Sequence, residues 1–451
     1  MDILPYILRH LYLLYPKART LPLAYGPAHG ASVSVRQYEG QFFEGKRARP
    51  ESLVWKVYHG VRLPFFFEEN EQEELVTYFP DGSAKINYDI LASAFYLLSG
   101  WQEHHSKARD KFGRYPYPAS VQAAHGFITV PVVNYYFEIL RETLERVYHV
   151  GLQADPWDNN SFATCLTCDV DRLQSAWKVA GLQRLKQGAL SDFSSLLLQK
   201  IRGRDAWQNL REVTATADRF KARITFFFLT SLQRYQGHPN ADYDVTRRAC
   251  QDSILGLMAS GHEVGIHGSF GTAVHGPQLR AEMAQLPTKV SGNRFHYLCH
   301  DPQHTPQVLQ QSGLRYDTTL GFAEHFGFRN SFCHPFFPFN FETGEAFGYL
   351  ELPLLLMDTS LYHPGYLNVK PSEALRLLQT MLEEVIKFRG LFTLLWHNEN
   401  FSSYSEYPTP AGEPNWSEVL HHLLRQLQQA NTAFLTCAEA TARITEKATK
   451  L

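Results

Sequence analysis

The chain has 451 residues, 44% apolar and 20% charged, which fits two or three folded domains and not a disordered or fibrous protein. Its 43 Lys and Arg against 45 Asp and Glu leave a net charge of -2, which gives no support to a nucleic-acid or polybasic membrane role. Six cysteines are too few for a disulfide framework at this length, so reduced thiols and a cytoplasmic location are expected.

The opening MDILPYILRHLYLLYPKAR interrupts its apolar residues at Asp2, Arg9 and His10 and has no basic leader, so no signal peptide is expected. No run approaches the roughly 20 apolar residues that a membrane span needs. Residues 1–158 are rich in aromatics, as in Phe65-Phe66-Phe67 and Tyr78-Phe79, and break into short mixed segments. They read as a smaller α+β accessory domain without a catalytic constellation. The apolar spacing predicts helices around Tyr88 to Gln102 and Val132 to Tyr148, with a loop at Asp110 to Pro116 between them. The polar break Asp155-Pro156-Trp157-Asp158-Asn159-Asn160 marks the boundary with a second domain over 159–451.

From Ser161 the pattern becomes regular. Strand-like runs lie at Phe162–Asp169, Ile224–Leu229, Glu263–His267, Arg294–Leu298, Tyr349–Met357, Leu391–Trp396 and Ala433–Cys437, with a short one near Tyr316. Helices are expected between most of them, at Trp207–Lys221, Asp242–Ala259, Pro371–Phe388 and Trp416–Gln429. Near-continuous apolar strands alternating with helices indicate parallel strands covered by helices. Seven or eight such units predict an α/β fold, a distorted parallel (β/α)7-8 barrel; an open doubly wound sheet is the alternative, although no dinucleotide or phosphate-loop glycine motif follows any strand.

Chemistry in such barrels sits where the strands end. Asp169 and Asp171, two apart, project from one face of the first strand, where their charges need a cation, an arginine or a shared proton. A helix cap at Asp171 is the bland alternative. His267 and Ser269 end the third strand, Arg294 and His296 lie in the fourth, Asp317 follows Tyr316, and His397 closes Leu394-Leu395-Trp396. Three histidines, several aspartates and an arginine at one end of one barrel predict a metal-assisted hydrolytic site. Cys165 and Cys168 form a C-x-x-C inside a strand, the wrong place for a redox pair, and no second pair completes a structural zinc site.

These motifs, in this order, resemble the polysaccharide deacetylase (NodB-homology, carbohydrate esterase family 4) superfamily. Thr167-Cys168-Asp169-Val170-Asp171 is similar to its first motif, T-F-D-D-G, and closer to the T-H-D-V-D of a bacterial branch with an extra N-terminal domain. Thr225-Phe-Phe-Phe, Gly261-His-Glu-Val-Gly-Ile-His and Leu395-Trp-His-Asn resemble that branch, as does Ser93-Ala-Phe-Tyr-Leu-Leu-Ser99 in the N-terminal part. The resemblance implies a barrel of the polysaccharide deacetylase type over about 162–440. It implies Asp169 as catalytic base, Asp171 and His267 as metal ligands, and Arg294 as the arginine that orients the base. Asp317 would polarise His397, the general acid.

Besides Gly268 in place of the Ser or Thr of H-[ST]-x-x-H and an Asp171 displaced by one position, the chain has three larger departures from the family's pattern. Gly271 stands where the second metal histidine of H-[ST]-x-x-H would fall, Cys168 replaces a histidine, and His296 replaces a proline. His296 is therefore expected either as the replacement ligand or as a support for Arg294. The implied function is removal of acetyl groups from an N- or O-acetylated carbohydrate, with zinc the first choice of metal. A catalytically degenerate carbohydrate-binding or scaffold barrel and a two-carboxylate glycoside hydrolase using Asp169 with Asp317 or Asp358 are the alternatives. Neither a nucleic-acid partner nor a membrane span is expected. Arg329 could meet an acidic substrate group or a surface carboxylate, and His334 to Phe341 could offer aromatic platforms or fill a domain seam. Asp358 could be a supporting carboxylate or a helix cap.

Overall fold

The computed structural model describes residues 2–27, 30–68, 74–154, 156–410 and 412–449; Asp155, at the expected boundary, lies outside them. The first barrel strand, Phe162–Val170, is buried at all nine positions, as a strand needs to be when helices cover one face and a filled interior the other. Around the sheet the order is Leu350–Glu351, Tyr316–Asp317, Gly292–Phe295, Glu263–Gly268, Ile224–Phe228, Phe162–Val170, Leu391–Leu395 and Leu354–Met357, every neighbour parallel. Thr432–Phe434 pairs with the base of the first strand at Phe162–Thr164, below the point where Ile224 joins at Leu166.

The two ends of this path, Leu350–Glu351 and Leu354–Met357, are halves of one run broken at Leu352-Pro353. Pro353 has no N–H to give to a ladder, so the run changes partners there. Its first half pairs with Tyr316–Asp317 and its second with Leu391–Leu395, which closes the sheet into a distorted barrel. The fold is thus the α/β barrel that the apolar runs imply, with smaller sheets before it.

Several boundaries differ from the sequence expectation. The fourth strand ends at Phe295, and His296–Leu298 forms a tight turn. The expected helix at Tyr88 to Gln102 is two, Ile90–Leu98 and Trp101–His105, parted by Gly100 in the left-handed region at φ 72°. A helical pair that the expected elements do not include, Ala176–Lys186 and Leu190–Ile201, follows the first strand; the first of the two has no marked apolar face, and the second leaves Leu190 and Ile201 exposed.

The N-terminal region carries a four-stranded sheet, ordered Ala24–Tyr25, Val33–Val35, Ala84–Ile86, Val76–Tyr78, and a hairpin of Leu53–Tyr58 with Val61–Phe66. Helix Val132–Tyr148 packs on both. The region meets the barrel through a buried seam. Arg329, 2% exposed, binds both oxygens of Glu103 at 2.8 and 2.6 Å, so it meets neither substrate nor surface. The aromatic run fills the same seam, with Phe339 edge-on to Tyr6 and Phe95, each at 4.9 Å. Among the described residues no helix is long and apolar enough to cross a membrane.

Candidate active site

Strand register brings the polar residues together. Arg294 pairs across the ladder with His267, and Asp169 and Asp171 lie at the end of the first strand. Arg294 is completely buried; its Nη1 donates to Asp169 Oδ1 at 2.9 Å and Thr167 Oγ1 at 2.7 Å, and its Nε to the Thr318 carbonyl at 3.0 Å. Asp169 is therefore aimed by a buried cation. His267 Nδ1 lies 2.7 Å from the Arg294 carbonyl, which can only accept, so that nitrogen carries the proton and Nε2 points a lone pair into the mouth.

Nε2 of His267 faces Nδ1 of His296 at 3.1 Å and Asp171 Oδ1 at 3.2 Å, and His296 Nδ1 stands 3.5 Å from the same oxygen. These three ligand atoms fall within 4.8 Å of one another and could hold a metal ion. Asp171 Oδ1 is buried without a hydrogen bond among the described residues. The spacings match the roughly 3.3 Å between two ligands of a tetrahedral ion bound at about 2.0–2.1 Å, so the donor set fits a divalent metal. Burial pushes the Asp171 carboxyl up, but His296, His267 and His397 outweigh it and hold it well below the usual range. Burial lowers His296 to about 4, leaving it neutral and able to ligate. Burial also lowers His267, yet Asp169 and Asp171 more than offset that and raise it.

His397 stands across the mouth, Nε2 3.8 Å from Asp171 Oδ2. Its partner is Asp358, whose Oδ1 lies 2.7 Å from His397 Nδ1; the expectation that Asp317 would hold it is corrected. Asp317 accepts instead from Asn293 Nδ2 at 2.6 Å and from Thr319 at 3.0 Å. Burial raises both Asp317 and its neighbour Glu351, a carboxyl pair closed off from the mouth. With Asp358 committed to His397 and to Asn400 Nδ2 at 2.6 Å, neither carboxylate is free to partner Asp169 in glycoside cleavage.

The departures have local causes. At Gly268, where the motif that this stretch resembles has Ser or Thr, a Cβ would lie 2.5 Å from the Phe295 ring. Gly271 has φ +102°, and a Cβ there would meet Tyr235 at 3.0 Å, so position 271 points at that ring. Ser269 gives its backbone N–H to Glu282 Oε2 at 3.1 Å. His262 accepts from Ile224 N–H, and Glu263 binds Tyr316 and Thr225, both at the opposite end of the barrel as their positions at a strand start predict. Burial raises the Cys165 and Cys168 thiols well above their usual range, which suits no redox role.

The cluster opens into a cleft of about 190 Å³ edged by Tyr297, Tyr362, Tyr366 and Tyr407. Arg172, beside Asp171, also lines this cleft and is paired there with Glu399 at 2.5 Å and Glu406 at 2.7 Å. Arg114 reaches the same cleft from the N-terminal region, and no local pattern in the sequence marks it. A wider hollow of about 850 Å³, bordered by Tyr38, Glu68 and Lys85, holds none of these residues, and volume alone does not make a site.

Residues 17–149 match a family described as a family of unknown function, DUF7033. No curated protein matches the chain. Among solved structures it is similar to a Mycobacterium smegmatis protein provisionally described as a polysaccharide deacetylase, at 17% identity over 64% of this chain and 93% of that one, with a TM-score of 0.43.

Proposed function

We propose that the protein is a metal-dependent hydrolase that removes acetyl groups from an N- or O-acetylated carbohydrate. The observation that carries the reading is the convergence of Asp171, His267 and His296, with Asp169 and His397 beside them on separately oriented walls. Zinc suits a donor set of two imidazoles and one carboxylate. A divalent ion held by these three residues supplies a Lewis acid that polarises a carbonyl and makes water more acidic.

The chain's own groups then divide the proton work. Asp169, aimed by Arg294 and Thr167, accepts a proton from the attacking water. His397, kept charged by Asp358, delivers a proton to the departing amine or alkoxide. The motif resemblance around Asp169, His267 and His397 supports the same reading from the sequence side.

The test is acetate release from acetylated chito-oligosaccharides and acetylated xylan by protein that has been chelated and then reloaded with zinc. Acetate that appears only after reloading is the expected result. New reducing ends without acetate point to glycoside cleavage instead, and a protein that takes up no ion overturns the reading.

A further inference from the structure

We propose that the N-terminal region is a working part of the metal site: its loop Asp110 to Arg114 holds the turn that presents His296, which makes Phe112 and Arg114 positioning residues for that ligand. The inference rests on the metal reading above.

His296 does not belong to a strand. The fourth strand stops at Phe295, and His296 is followed by two successive non-glycine residues in the left-handed region, Tyr297 at φ 58° and Leu298 at φ 53°. Side chains larger than hydrogen adopt that region at a cost, and two in a row persist only where the surroundings hold them.

Within the barrel the Tyr297 hydroxyl donates to the Pro239 carbonyl at 3.0 Å and the ring meets Phe270; the rest of the support comes from far away in the chain. Arg114 Nη1 donates to the Tyr297 carbonyl at 2.6 Å. Asp110 also grips the guanidinium, Nε at 2.7 Å and Nη2 at 2.6 Å, and Tyr366 bonds to it as well, which restrains the donor. Asp110 Oδ1 also accepts from the backbone N–H of Phe112 and Arg114, which closes the loop on itself. Phe112 lies flat on the Tyr297 ring, centroids 4.8 Å apart and planes 13° apart, with Arg114 over the same Phe112 ring at 4.8 Å. The Tyr297 ring in turn packs on the His296 ring at 3.8 Å. The contacts thus run from Asp110 through Arg114 and Phe112 to Tyr297, and from Tyr297 to the ligand. This assigns a chemical task to part of the segment 17–149.

Chelated protein titrated with Co2+ and followed by visible absorption reports both affinity and the geometry of the ligand shell. Arg114→Ala and Phe112→Leu are each expected to weaken Co2+ binding by about ten-fold or more and to shift the absorption bands, as losses beyond the ligands themselves do. Arg9→Ala removes another seam cation, 3.8 Å over Phe337, and is expected to leave both unchanged. In a His296→Ala background, Arg114→Ala should add little, because the two act through one contact. Thermal melts followed by circular dichroism establish folding; if Arg114→Ala does not fold, Phe112→Leu carries the test. Unchanged affinity and spectrum in the folded variants overturn this inference and leave the metal reading standing. A wild-type protein that binds no Co2+ overturns the metal reading, and this inference with it.

Discussion

His397 and Asp358 are joined twice: Nδ1 of the ring lies 2.7 Å from one carboxylate oxygen, and the His397 backbone N–H donates to the other at 2.7 Å. Burial lowers the imidazole pKa, but Asp358, with Asp171 and Asp169, outweighs it and raises the ring to about 10. Asp358→Asn removes the first of those carboxylates. Amide cleavage at pH 8 is expected to fall by about 10²-fold or more, and cleavage of an activated aryl ester far less, because a phenolate leaves without a proton. Equal losses on the two substrates would remove His397 from the acid role.

The same pair sets a pH dependence of stability in chelated protein. The folded pKa of about 10 lies above the ordinary 6.5, so the charged ring's contribution is complete below 6.5 and is lost as pH rises toward 10. Urea midpoints of chelated wild-type protein should fall across that window, with a shallower fall in Asp358→Asn. A midpoint that climbs with pH has the wrong sign.

Asp169→Asn should cost at least about 10² in turnover while metal content stays near that of the wild type, since the change removes a proton acceptor and not a proposed ligand. Activity above a few per cent of wild type would exclude Asp169 as the base. Metal analysis by emission spectroscopy checks the second half.

His296→Ala is expected to lose metal and activity together, with partial recovery in excess zinc. Adding Gly271→His to that variant should not restore binding, because the new side chain starts against Tyr235 at a left-handed position. Recovery of metal in the double variant would show that position 271 can reach the ion.

At the seam, Arg329→Ala leaves Glu103 buried without its cation and should cost about 3–5 kcal/mol in chemical denaturation. Replacing both with apolar residues, Arg329→Met with Glu103→Leu, should recover much of that loss. A double variant as unstable as the sum of the singles contradicts this account.

Much of the barrel is legible in the sequence because parallel strands buried on both faces are short apolar runs; Ile224–Phe228 and Leu391–Leu395 each stop one residue short of their expected ends. The N-terminal strands, several only two or three residues long, carry no comparable signal. Placing Asp317 beside His397 required knowing which strands are neighbours. Tyr316–Asp317 adjoins Gly292–Phe295, whereas Leu391–Leu395 adjoins Leu354–Met357, so the carboxylate beside His397 is the one that follows Met357. The expected strand Arg294–Leu298 contains both Arg294 and His296. Instead the strand ends between them, and a turn carries His296 to the ligand group.

The divided run from Leu350 to Met357 gives the barrel wall a break at Pro353. Its upper half ends directly before Asp358, so any breathing that unzips Leu354–Met357 from Leu391–Leu395 also carries the carboxylate away from His397. Amide exchange along those few residues would then time how often the proton donor loses its aim, which makes the fidelity of the chemistry a property of how tightly the wall is zipped.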